Sequence, residues 1–161
     1  RENGGEPVRT RVGHSFIKAK MAETNAVFGG EHSAHYYFRD FWRADSGMLA
    51  AMHVLAALGQ QDKPLSEMMA KYNRYAASGE INSRLDSAEA QADRTEAVVK
   101  AFADRAENVD RLDGVTVELK DGNWFNVRAS NTEPLLRLNV EADTQEAVDA
   151  LVKEILAIIR A

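Results

Sequence analysis

Residues 115–143 read VTVELKDGNWFNVRASNTEPLLRLNVEAD, and three pieces of this stretch alternate with a period of two. Val115, Val117 and Leu119 are interleaved with Thr116, Glu118 and Lys120, the pattern of a strand with one buried face. Asp121-Gly122 then signals a tight hairpin, because glycine takes positive φ without steric cost. The returning strand puts Phe125, Val127 and Ala129 on one face and Trp124, Asn126 and Arg128 on the other. Past Pro134 the apolar face resumes with Leu136, Leu138 and Val140, leaving Arg137, Asn139 and Glu141 opposite. An antiparallel sheet follows from this alternation.

Outward from the meander, Val148, Leu151, Val152, Ile155, Ile158 and Ile159 stripe a final amphipathic helix, with Asp143 or Thr144 as its cap. On the other side, residues 86–108 read as a long helix with Val98, Val99, Phe102 and Ala106 on one side, and Asp86 with Glu89 resembles a capping box. Residues 75–85 are weakly strand-like. The expected unit, residues 75–161, is therefore an α+β domain of order β-α-β-β-β-α, its helices packed on one face of an antiparallel sheet.

The part before it predicts less. A short strand over 7–11 precedes a helix over 14–23 with Ser15 near its start. A strand over 26–28 is broken by Gly29-Gly30 and followed by an exposed loop. Met48, Met52, Leu55 and Leu58 then mark a helix over 46–58, begun by Asp45 or Ser46 and ended by Gly59. Two short strands and two helices are too few for a complete βαβαβ unit, so residues 1–63 are expected to be a partial α/β domain and residues 64–74 a linker helix opened by Pro64. Exposed apolar surface on such a partial domain favours self-association.

Composition narrows the function. The chain has 161 residues, 45% hydrophobic, and no cysteine, which excludes disulfides and thiolate chemistry and suits a reducing cytoplasm. No run approaches the ~18 apolar residues of a membrane span. A net charge of −5 argues against nucleic acid as partner and requires any anion site to be local.

Such a site is available. Arg128 and Arg137 flank the turn Ser130-Asn131-Thr132-Glu133-Pro134 from the polar sides of successive strands. Two guanidinium forks, two hydroxyls, an amide and free turn N–H groups are the donors that a phosphate dianion requires. The same residues also suit an ordinary turn whose arginines pair with Glu133 or Glu141. A second polar cluster, Gly29-Gly30-Glu31-His32-Ser33-Ala34-His35, combines a carboxylate, a hydroxyl and two imidazoles on a glycine-opened loop. Glu31 and Ser33 suit the vicinal hydroxyls of a sugar, and His35 suits phosphate binding or help in proton transfer. Glu31, His32 and His35 could alternatively be read as metal ligands, with weaker spacing for that role.

Three segments resemble the α-D-phosphohexomutase family. Gly30-Glu31-His32-Ser33-Ala34-His35 is similar to its third-domain sugar loop, Gly-Glu-x-Ser-Gly/Ala-His; Arg128-Ala129-Ser130-Asn131-Thr132-Glu133-Pro134 is similar to its fourth-domain phosphate loop, Arg-x-Ser-Asn-Thr-x-Pro; and Gly13-His14-Ser15 is similar to its Gly-His-Ser segment. The resemblance implies a fragment comprising the later part of domain three and all of domain four. It implies interconversion of hexose 1- and 6-phosphates through a phosphoserine and a bisphosphate, with Gly13, His14, Glu31, Ser33, His35, Arg128, Ser130, Asn131, Thr132 and Arg137 binding the phosphosugar. No Thr-Ala-Ser-His-Asn-Pro-like serine loop and no Asp-Gly-Asp-x-Asp-Arg-like magnesium loop occurs here. The resemblance therefore puts the Mg2+ ligands and the phosphoryl carrier outside the chain, in the family's N-terminal domains, and the chain alone is expected to bind no metal and to lack mutase activity. His32 at the variable position points toward mannose or glucose phosphate. A phosphosugar-binding module without chemistry would use the same residues.

Overall fold

Alternation is realised most fully in the last 90 residues. In the structure, a computed structural model that describes residues 4–130 and 132–161, the chain divides into two compact units, residues 1–71 and 72–161.

In the second unit, Val115–Leu119 forms β7, Trp124–Ala129 forms β8 and Leu135–Ala142 forms β9, each antiparallel to the next. The turn between β7 and β8 is closed by Gly122 N–H donating to the Leu119 carbonyl, with Gly122 at φ +88° as the sequence required. Two short pieces, β4 (Ala76–Ala77) and β5 (Ile81–Arg84), pair in succession along the free edge of β9. Helix α4 (Ala88–Phe102) and helix α5 (Gln145–Ile159) cover one face. Phe125, Val127, Leu136, Leu138 and Val140 are buried beneath them, and the Phe102 and Phe125 rings meet edge-on at 4.9 Å. The other face carries the polar alternates.

The sheet contains two strands more than the sequence reading predicts, because residues 75–85 supply two short pieces, β4 and β5, instead of one, and a further strand follows α4. The helix expected over 86–108 stops at Phe102, and Ala106–Asp110 forms β6, the far edge beside β7. An edge strand reading Ala-Glu-Asn-Val-Asp buries little, with only Ala106 packed against the core, and has no alternation to betray it, and a bulge between Ala106 and Asn108 further disrupts its pattern. The cap of α4 is Ser87, whose Oγ accepts the Ala90 N–H, so the Asp86/Glu89 capping box does not form. Thr144 caps α5 in the same manner. Ala129, expected on the core face, is exposed because the strand end outruns the helices.

The first unit is built from helix α1 (His14–Thr24), a three-stranded antiparallel sheet of β1 (Phe28–Gly30), β2 (Tyr36–Phe38) and β3 (Ala44–Asp45), helix α2 (Gly47–Leu58) and the short α3 (Leu65–Ala70). Residues 7–11 form no strand. Ser15 does not cap α1, whose N-cap is Gly13 with no side-chain cap hydrogen bond. Gly29 and Gly30 continue the strand rather than break it. A Cβ at Gly29 would lie 3.0 Å from Met21 Sδ and 3.1 Å from Ile17 Cγ2, so the glycine lets α1 sit directly on the strand. Ile17, Met21 and Tyr37 form the buried cluster there. Ser46 caps α2 through the Leu49 N–H.

Candidate functional site

Register decides the polar cluster of the second unit. In the β8–β9 ladder, Arg128 stands directly opposite Arg137, both on the sheet face away from the helices. Like charges facing each other across strands are unfavourable on their own. Three carboxylates partly offset them: Asp113 lies 3.8 Å from Arg128 Nε, Glu80 lies 3.3 Å from Arg137 Nη1, and Glu133 lies 3.7 Å from Arg137 Nη2. These separations are long and the carboxylates partly exposed, so each pair contributes little. Arg137 also donates from Nη2 to Ser130 Oγ at 3.4 Å, which places its side chain at the turn. Its Nε is buried and meets no hydrogen-bond partner among the described residues.

Ser130 gathers the turn. Its Oγ accepts the N–H groups of Thr132 and Glu133 at 3.4 and 3.3 Å, while its own N–H donates to the Leu135 carbonyl. Several long bonds thus converge on one hydroxyl oxygen, an arrangement that an anion accepting the same donors would replace at shorter range. Of the alternative counterions, Glu133 does approach Arg137, whereas Glu141 accepts from the Trp124 ring N–H instead. Asn131 lies outside the described residues.

Sequence reading missed the residue behind Arg128. Gly114, at φ +67°, lies so close to β8 that a Cβ there would be 2.5 Å from the Val127 carbonyl oxygen and 2.8 Å from Arg128 Cβ. The Asp113 carbonyl in the same turn accepts the Asn126 side-chain N–H. The Asp113-Gly114 dipeptide, a turn signal, was the only clue.

In the first unit, the loop between β1 and β2 is organised by Glu31. Its Oε1 accepts the Tyr37 hydroxyl at 2.5 Å and its Oε2 accepts the Gly13 N–H at 3.3 Å. The carboxylate therefore ties the head of α1 to the loop and brings Gly13 and His14 beside Glu31. Loop backbone bonds, Glu31 N–H to the His35 carbonyl and Ala34 N–H to the Glu31 carbonyl, turn the chain tightly, with Ala34 at φ +65°. Burial, then the neighbouring carboxylate, pushes the Tyr37 hydroxyl well above its ordinary range. His35 Nδ1 is 2.8 Å from Asp45 Oδ2, and Asp45 Oδ1 accepts the Tyr36 N–H. This pairing raises the His35 pKa and holds that of Asp45 down. His32 and Ser33 stand exposed at the loop tip. Glu31, His32 and His35 do not form a metal site: among the described residues no group of three or more acidic or imidazole side chains could hold an ion.

Two domain models of a single family cover nearly the whole chain: "Phosphoglucomutase/phosphomannomutase, alpha/beta/alpha domain III" matches residues 1–75, and "Phosphoglucomutase/phosphomannomutase, C-terminal domain" matches residues 80–158. The chain belongs to the phosphoglucomutase/phosphomannomutase family. It is 44% identical to a phosphomannomutase of Salmonella montevideo over 97% of its own length and 34% of the relative's. It is 45% identical to a phosphohexose mutase of Xanthomonas campestris pv. campestris (strain B100), over 86% of the chain and 30% of the relative. A crystal structure of a phosphoglucomutase/phosphomannomutase family protein from Burkholderia thailandensis superimposes with a TM-score of 0.78 at 30% identity, over 99% of this chain and 34% of that one. The chain thus spans about a third of the length of the relatives it matches. Residues 30–35 fall in the domain III match and residues 128–134 in the C-terminal match. Tyr37 and Asp45, which hold Glu31 and His35, were hidden in the sequence: Tyr37 lies in a segment read as following an exposed loop, and Asp45 reads as a helix cap.

Proposed function

We propose that this chain supplies the substrate-recognition elements of a hexose-phosphate mutase, the second unit recognising phosphate and the first recognising sugar hydroxyls. The observation that carries this reading is the direct apposition of Arg128 and Arg137 beside the Ser130 turn. The two arginines are cross-strand partners, their charge is only partly offset by Asp113, Glu80 and Glu133, and a bound dianion would relieve the repulsion that remains.

A mutase meets its substrate in two orientations, so the site for the non-reacting phosphate should recognise a dianion and little else. The groups available fit: Arg128, Arg137, Ser130 and Thr132 donate, and none reads a sugar. Glu31 keeps a free lone pair on each carboxylate oxygen for hydroxyls, with Ser33 next to it and Gly13 and His14 alongside. His35 helps hold phosphate or move a proton. The reaction, by family resemblance, transfers the phosphoryl group of a phosphoserine through a bisphosphate intermediate. That serine and the ligands of the catalytic magnesium have no counterpart motif in these 161 residues. We expect the chain alone to bind phosphosugars of mannose or glucose without interconverting them.

Titrating the chain with inorganic phosphate while following backbone amides tests the reading. Shifts should centre on residues 128–137, and Arg128→Ala should weaken binding about ten- to a hundredfold, the loss of a charge-assisted contact of roughly 1.5–3 kcal/mol. Shifts confined to other residues would reject the phosphate site.

A further inference from the structure

We propose that Asp45 is a positioning residue for His35: by accepting the Nδ1–H hydrogen bond, it leaves Nε2 as the ring nitrogen offered to the phosphosugar. This rests on the reading of the residue 31–35 loop given above and adds a residue and a tautomer to it.

The geometry is directional. Asp45 Oδ2 is a carboxylate oxygen and only accepts, so His35 Nδ1, 2.8 Å away, must carry hydrogen. The other oxygen, Oδ1, accepts the Tyr36 N–H at 2.8 Å, which fixes the carboxylate plane from the residue next to the histidine. Asp45 is itself anchored, since β3 pairs with β2 in the register Tyr37 opposite Asp45 and Phe38 opposite Ala44. Ser46, not Asp45, caps the following helix, so the aspartate is not engaged in capping. A histidine on an exposed loop would otherwise exchange tautomers and rotamers freely; here one nitrogen is engaged and the other has no hydrogen-bond partner among the described residues. The titratable groups around the ring are Asp45 on β3, Glu31 at the start of the loop, Tyr37 on β2 and, acting on Asp45, His14 at the head of α1. The two nearby carboxylates both favour imidazolium, so His35 can present Nε2–H to a phosphate oxygen and return as a neutral acceptor once that proton has moved, with Nδ1–H retained by Asp45 throughout.

The test uses the ring 15N signals of His35 in the 161-residue chain, with mannose 6-phosphate as probe. At high pH, the wild type should show protonated Nδ1 and bare Nε2; Asp45→Ala should reverse the assignment and lower the pKa toward the ordinary value of 6.5. Asp45→Asn keeps an oxygen for the Tyr36 N–H and thus controls for local misfolding; it should also lower the pKa. Mannose 6-phosphate should move Nε2 in the wild type. Ring signals and pKa unchanged in both variants would overturn the proposal, as would an Nε2 unmoved by ligand while the Glu31 and Ser33 amides shift. If no amide of residues 31–35 responds to the sugar phosphate, the hexose reading of the loop fails, and the positioning proposal fails with it. In a full-length enzyme carrying this sequence, Asp45→Asn should lower kcat about ten- to a hundredfold and move the pH profile with the histidine.

Discussion

Single atoms set the two sites. Gly114 is the sharpest case, because its backbone conformation and its neighbours both exclude a side chain. Gly114→Ala adds a left-handed penalty of about 1–2 kcal/mol to an overlap with β8 that costs about 1–3 kcal/mol. A loss of roughly 2–5 kcal/mol should appear in urea unfolding of the second unit, together with weaker phosphate binding as Arg128 is displaced. Replacement of the exposed Gly122, whose added Cβ would meet nothing within 4 Å, should cost less at similar φ. The His35–Asp45 pair makes a pH-dependent contribution with opposite signs at its two ends. His35 has its pKa raised, so its contribution is complete below 6.5 and is lost as pH rises through the raised value; Asp45 has its pKa lowered, so its contribution is complete above 3.8 and is lost as pH falls through the lowered value. The unfolding midpoint of the first unit should accordingly carry a small bell-shaped component between those limits, absent in Asp45→Asn. The pair is exposed, which keeps the effect small.

At the scale of elements, the arginine cluster is a property of the β8–β9 register. A slip of one residue would turn Arg137 to the core and Leu136 to the surface, so the buried positions that pin the register also hold the arginines face to face. The chain before β5 adds Glu80, which approaches Arg137 from the β9 edge and competes with any anion there. Glu80→Gln should therefore tighten phosphate binding severalfold, read by amide titration, with little change in stability because the ion pair is long and partly exposed. Weaker binding in this variant would show that Glu80 orients Arg137 rather than shielding it. The strands themselves were legible where one face is buried, as in Val115, Val117 and Leu119. They were illegible in β6, which buries little and shows no alternation, and the end of β1 was misplaced, because its glycines serve close packing against α1 and look like breaks.

At the scale of the whole molecule, the two units differ in how much they bury. Fifteen residues form the core of the second unit, whereas three are buried together in the first, among the described residues. Helix α2 has no buried residue, and Met48, Met52 and Leu55 on it are 79%, 60% and 64% exposed. No described helix is long and apolar enough to cross a membrane. Native-state hydrogen exchange should therefore show amides of β7, β8 and β9 protected to the global unfolding limit and those of β1, β2 and β3 opening at much lower free energy. Equal protection in the two units would contradict this ordering.

The sequence by itself determined the meander, its hairpin, the final helix and the residue types at both polar clusters, because each rests on neighbours within a few positions: alternation, a glycine at positive φ, a hydroxyl before a helix. Only the tertiary structure decided which groups meet. Arg128 faces Arg137 through register, Gly114 supports Arg128 through a turn fourteen residues earlier, Glu31 is held by Gly13 and Tyr37, and His35 finds Asp45 across two strands. Such pairings depend on loop closure and on which face the core claims, and neither is encoded in a local pattern.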